Sequence, residues 1–157
     1  MDQPEITHAF IESDGDLPHL YRVLLNSPEP WRESLPKYKT PIDYVVSVHR
    51  GLALPVGDGP RGLAPLEQLG QRTYAPGSPA GWPDRAGDWD GATALLKRVQ
   101  WADALGQRLA DRYDASALAV QLLGASIGST TRSALAHAAS AAQGLTLLLA
   151  APEFLRR

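Results

Sequence analysis

The chain has 157 residues, long enough for one buried core, and its 15 Lys and Arg against 17 Asp and Glu leave a formal charge of -2. That balance provides no field to gather nucleic-acid phosphates or an anionic membrane, so neither is an expected partner. No apolar run reaches the roughly 20 residues needed to cross a bilayer, and a chain without cysteine has no disulfide, thiolate nucleophile or zinc ribbon.

Met1 to Phe10 lacks the basic start and apolar stretch of a secretory signal. Cysteine usage does not separate cytoplasm from periplasm. Most of the 14 glycines and 13 prolines lie between Pro28 and Gly91, whereas residues 92–151 are rich in Ala and Leu and hold no proline. Short helices and rigid loops are expected first, regular helices afterwards.

Ile6, Phe10 and Ile11 have helical spacing from almost the first residue, as if the chain entered midway through an element. Asp14-Gly15-Asp16 reads as a turn and cap, and Leu17, Leu20, Tyr21, Leu24 and Leu25 form an apolar stripe that predicts a helix over 17–26. Thr40-Pro41-Ile42-Asp43 sets a capping hydroxyl, a proline at the first helical position and a carboxylate at the third, so a helix runs from Pro41 to about Ala53. A shorter helix is expected over 63–72, then a loop over 74–88.

The longest helix is expected from Trp89 or Asp90 to about Tyr113. Its inner face would carry Ala92, Leu95, Leu96, Val99, Ala102, Leu105, Leu109 and Tyr113, and its outer face Lys97, Arg98, Gln100 and Asp103. Ser116 would cap residues 117–123, Gly124 would end them, and a last long helix would start at residues 129–131 and reach about Ala150 before Pro152. Period-two alternation is scarce, so the expected fold is all-α, an irregular bundle of about six helices in one domain, 1–157.

Three motif matches fail on context. Gly57-Asp58-Gly59-Pro60-Arg61-Gly62 fits the dinucleotide fingerprint, yet it follows a capped helix rather than a strand and Pro60 removes an amide, which leaves a surface turn. Gly124-Ala125-Ser126-Ile127-Gly128 fits a nucleophile elbow, but only His137 and Glu153 follow, in the wrong order, and Ser126 lies between helices. Asp14-Gly15-Asp16 is too short for a calcium loop. The histidines, His8, His19, His49 and His137, are not at metal-ligand spacing, so no metal is expected. His49 and His137 lie on or beside apolar faces and read as satisfied core residues.

Two segments remain as candidate sites. Lys37-Tyr38-Lys39 before the Thr40 cap could seat an anion on the helix N-terminus, with Lys37, Lys39 and Thr40 as its ligands; the bland reading is a solvated basic turn. The loop with Tyr74, Trp82, Asp84 and Trp89 could stack on a sugar or peptide, with Asp84 or Asp88 accepting hydrogen bonds, or its tryptophans could plug a helix junction. The plug is the favoured reading, because long loops must be anchored by their own large side chains.

Several segments together resemble the bacterial DUF1800 family. They are Leu20-Tyr21-Arg22 with Ser27-Pro28 and Trp31; Lys39-Thr40-Pro41 with Val45-Val46-Ser47 and Arg50; Leu69-Gly70-Gln71 with Pro79, Gly81-Trp82-Pro83 and Trp89; Leu95-Leu96 with Arg98; Thr131-Arg132 with Ala134; and the closing stretch from Leu147 to Pro152-Glu153-Phe154-Leu155-Arg156-Arg157. The order matches and nearly the whole chain is covered. His49 stands where the family has an apolar or small residue. The resemblance implies a helical protein that is the C-terminal part of a longer one, with no family catalytic residues to carry over. It also implies a partner: the upstream part of the full-length protein, or another protein such as an exported, sulfatase-like one encoded nearby.

The functional expectation is a non-catalytic helical interaction or structural module, without a cofactor, since no acid, base and nucleophile constellation is recognisable. The alternative is a carbohydrate- or peptidoglycan-binding or hydrolytic domain that uses the Trp82 and Trp89 loop.

Overall fold

Residues 4–28, 31 and 37–157 are described by a computed structural model, and among them are eight α-helices and no strand. The all-α class is as expected, with two helices more than the sequence predicts. The chain divides into two compact units, residues 1–35 and 36–157.

The first unit is a hairpin of α1 (Pro4–Glu12) and α2 (Leu17–Asn26). Asp14 and Gly15, at φ +50° and +78°, supply the left-handed backbone that reverses the chain. Asp16 then caps α2 by accepting from the His19 amide at 3.0 Å. The bounds of α2 are those the apolar stripe predicts. Trp31 closes the hairpin by donating its indole N–H to the Leu25 carbonyl at 2.8 Å.

The second unit holds α3 (Pro41–Gly51), α4 (Gly59–Gln68), α5 (Ala92–Leu109), α6 (Ala115–Leu123), α7 (Ser129–Ala136) and α8 (Ala141–Leu149). Thr40 and Asp43 form the predicted reciprocal cap on α3, with Thr40 Oγ1 accepting from the Asp43 amide at 3.3 Å and Asp43 accepting from the Thr40 amide at 3.2 Å. The dominant packing is α5 on α8. Gly106 permits it, because a Cβ there would lie 2.6 Å from both the Ala142 carbonyl oxygen and Thr146 Oγ1. Leu145, Leu148 and Leu149 of α8 are fully buried, and Tyr44 meets Trp101 and Phe154 edge-on at 5.5 and 6.0 Å between centroids.

The buried face of α5 agrees with the expected one at Ala102, Leu105 and Leu109 and departs from it elsewhere. Arg98, Trp101, Ala102, Leu105, Gly106 and Leu109 are inward, whereas Leu95 and Leu96 are exposed. The i, i+3, i+4 period is right but the face is rotated, because two tyrosine rings accept the Arg98 stem that a polarity count assigns to solvent. The last long helix is two helices. Ser140, extended at φ -153°, accepts from the Gln143 amide at 3.1 Å and starts α8 after a break at His137. The hairpin helix α1 is the other addition to the count.

Asp114, rather than Ser116, caps α6, accepting from the Ser116 and Ala117 amides at 2.8 and 3.0 Å. Helix α4 begins earlier than expected, so Gly59 to Gly62 form its first turn instead of a free surface turn. A Cβ on Gly62 would lie 2.0 Å from the Gly57 carbonyl oxygen, so this glycine serves backbone on backbone. His137 is exposed and bonds the Ser133 carbonyl of its own helix, and His49 has a buried Nδ1 without a hydrogen-bond partner among the described residues; neither is a satisfied core histidine. Ser126 lies exposed in a single 3-10 turn, and no sheet backs it among the described residues.

Candidate functional site

Pro152 ends the helical run, and the last residues return to the chain just before α3. Lys37 and Arg157 exchange backbone hydrogen bonds at 3.3 and 2.8 Å, and the Lys39 amide donates to the Leu155 carbonyl at 2.9 Å. This antiparallel strap places one residue after another. Glu153 reaches α7, where it accepts from the Gly128 amide at 2.8 Å and the Thr131 hydroxyl at 2.7 Å. Phe154 and Leu155 enter the core, and Arg157 pairs with Asp43 at 3.1 Å and approaches Asp84 at 3.9 Å.

Beneath the strap is Arg98, 1 % exposed. One guanidinium nitrogen donates to the Lys39 carbonyl at 2.6 Å, and the other terminal nitrogen is buried with no hydrogen-bond partner among the described residues. In place of a carboxylate, the rings of Tyr38 and Tyr44 flank the cation, at 4.3 and 5.3 Å from the guanidinium carbon. Burial pushes the guanidinium below its ordinary value, against the pull of Tyr38, Tyr44 and Asp43. Burial likewise raises Tyr38 and Tyr44.

Lys39 lies beside it, half-buried, with Nζ 4.4 Å from the Phe154 ring centroid and donating to the Phe154 carbonyl at 2.7 Å. Burial lowers its amine to about 8, with Asp43 opposing and Arg157 and Arg98 adding to the shift.

The two candidate segments meet here. Lys37 of the basic turn is bonded to Asp84 of the tryptophan loop. That bond to Lys37 holds the Asp84 carboxyl below its usual range. Thr40 and Asp43 occupy each other, and the Ile42 amide donates to Gln71 Oε1 at 2.8 Å, so this helix end uses groups of its own chain. In the loop, Trp89 is buried and gives its N–H to the Pro83 carbonyl at 2.8 Å, while Trp82 packs half-buried against it, centroids 6.0 Å apart. Tyr74 is 98 % exposed at φ +57°. Sequence reasoning missed Arg98, Glu153, Phe154 and Arg157 as members of this cluster. Their signal lay in the resemblance alone, which includes Arg98 and the closing segment from Pro152 to Arg157.

Two surface clefts flank these elements. One of about 460 Å3 opens between the first turn of α7 and the end of α8, lined by Ser129, Thr130, Ala134, Leu147, Pro152 and Glu153. The other, about 420 Å3, runs along α4 with Glu67 and Arg72 on its wall, themselves paired at 3.1 Å. Among the described residues no group of three or more His, Asp or Glu is placed to hold a metal, and no helix is long and apolar enough to cross a membrane.

Glu153 has a measurable signature. Burial raises its carboxyl, but the Thr131 hydroxyl and the backbone amides outweigh this and leave it lowered. A folded value below the unfolded one means its stabilisation is present above the unfolded carboxylate value and is lost as pH falls through the folded value. Glu153→Gln should cost about 1–2 kcal/mol in urea melts near neutral pH, with the gap to the wild type closing in acid. A gap that persists undiminished in acid would show that the carboxylate charge is not what caps α7.

The second unit is all-helical and is tied together by backbone pairing, cation–π contacts and external capping. The family model for DUF1800, a protein of unknown function, matches residues 4–156, and the chain belongs to that family. No curated protein and no solved structure matches it.

Proposed function

We propose that this chain is a non-catalytic helical module that docks on an apolar protein surface through the hairpin α1 and α2, the surface being supplied by another part of a longer polypeptide or by a separate protein. The observation that carries this reading is that α2 buries none of its ten residues. Phe10, Ile11, Leu17, Tyr21, Leu24 and Leu25 are 39 to 72 % exposed. Helices this short are marginal in water unless an apolar face is covered. The perturbed groups of the second unit fit the same reading, since Arg98, Lys39 and Glu153 are spent on carbonyls, rings and a helix end of their own chain.

The test is binding of an apolar fluorescent dye together with amide hydrogen exchange. The wild type should bind dye, its hairpin amides should exchange far faster than those of α8, and the double substitution Tyr21→Lys, Leu25→Lys should remove about half or more of the dye signal. A chain that binds no dye and protects α2 as well as α8 would overturn the proposal.

A further inference from the structure

We propose that Asp58 is a site of spontaneous covalent modification, where the peptide bond to Gly59 isomerises through a cyclic imide to a β-aspartyl linkage and unseats the first turn of α4. The sequence contains three Asp-Gly pairs, Asp14-Gly15, Asp58-Gly59 and Asp90-Gly91. In each, the missing side chain of glycine leaves its amide nitrogen open to the carboxyl group before it. Their local chemistry is the same, so the fold decides which of them reacts.

In the step itself the Gly59 nitrogen attacks the side-chain carboxyl carbon of Asp58. A C–N bond forms, the amide proton and the carboxyl hydroxyl leave as water, and a five-membered imide results. Water then adds to one of the two imide carbonyls and breaks its C–N bond. Opening at the side-chain carbonyl restores aspartate; opening at the main-chain carbonyl routes the backbone through the side-chain carbon and frees an α-carboxylate. The water lost equals the water gained, and no other reactant is needed.

This chemistry asks for an amide that donates no hydrogen bond and for freedom to turn about the aspartate Cα–C bond. At Asp14 the Gly15 amide is bonded to the Phe10 carbonyl at 2.9 Å, and both residues are set left-handed by the hairpin turn. Asp90 is anchored on either side: its amide donates to the Ala86 carbonyl at 3.1 Å, and the Gly91 carbonyl accepts from the Leu95 amide at 3.0 Å. Asp58 is exposed and extended, at φ -79° and ψ 146°, and stands at the cap position of α4 without making the cap hydrogen bond. Among the described residues neither its carboxylate nor the Gly59 amide has a hydrogen-bond or ion-pair partner.

A β-aspartyl link adds one carbon to the backbone between Gly57 and Gly62. Those glycines lie backbone on backbone, a Cβ on Gly62 falling 2.0 Å from the Gly57 carbonyl oxygen, so the longer path displaces the start of α4. Leu66 and Leu69, buried further along, hold the rest of the helix.

The experiment ages the native protein for weeks near neutral pH, beside the same protein unfolded in guanidinium chloride, and measures β-aspartyl content at each pair by peptide mapping. Unfolded, the three pairs should react at comparable rates. Folded, Asp58 should keep most of that rate while Asp14 and Asp90 slow by about tenfold, the weight of one backbone hydrogen bond. Asp58→Glu should abolish the signal at this position, because a six-membered imide closes far more slowly, and leave the other two pairs unchanged. In the isomerised protein the Leu63 and Ala64 amides should exchange faster and those of α8 should not. Native rates at Asp14 or Asp90 that match Asp58, suppression of Asp58 by folding as strong as at Asp14, or unaltered exchange at Leu63 and Ala64 would each refute this assignment.

Discussion

Gly106→Ala should destabilise the second unit by about 3 kcal/mol, although alanine in mid-helix is favoured over glycine by about 1 kcal/mol. The two effects oppose each other, and geometry decides between them. A Cβ at Gly106 would stand 2.6 Å from the Ala142 carbonyl oxygen and equally close to Thr146 Oγ1, and both atoms belong to α8, the other half of the principal helix pair. Thr146 is itself held by a hydrogen bond from Oγ1 to the Ala142 carbonyl at 2.9 Å, so it has little freedom to withdraw. Either α8 moves as a body, disturbing the fully buried Leu145, Leu148 and Leu149, or α5 does. Chemical denaturation of the wild type and variant measures the difference. A variant more stable than the wild type would mean that the two helices do not approach this closely.

The second large effect is expected at Arg98. Arg98→Ala should cost about 4 kcal/mol, whereas Arg98→Met should cost about 1 kcal/mol or less. Alanine leaves a void between the rings of Tyr38 and Tyr44 and takes the guanidinium donor from the Lys39 carbonyl. Methionine leaves that carbonyl equally short but keeps an unbranched stem between the rings and removes a buried charge that among the described residues is in no ion pair. Thermal and urea melts of both variants give the comparison. Equal losses would show that the guanidinium and its hydrogen bond, rather than the volume of the stem, hold this part of the core.

Local chemistry was the legible part of the sequence. The apolar stripe of α2, the Thr40 to Asp43 cap and the Gly124 stop at φ +53° each rest on residues within four positions of one another, and each is found where the spacing places it. Ser140 with Gln143 was equally local, yet it lies in a run of alanines whose propensity favours continuing the helix, and a capping serine won over that preference. The face of α5 was misplaced for a different reason. Its arginine is received by groups from the segment 59 residues upstream, and helical periodicity does not contain that information. The same holds for the strap, where Lys39 and Phe154 are 115 residues apart, and for Lys37 with Asp84, 47 apart. Each candidate segment was visible by itself; their meeting depends on the tertiary structure.

Because residues 37–39 lie side by side with 155–157, the second unit starts and finishes at one place. A short peptide joining Arg157 to Lys37 would close the unit into a ring, and the chain could be reopened at the exposed Gly77, far along the sequence from either old end. Such a rearranged polypeptide would keep every helix of the unit and the order of their packing, while the strap became an ordinary internal connection. The same adjacency lets the unit sit in a longer polypeptide as a cassette, entered and left through one doorway.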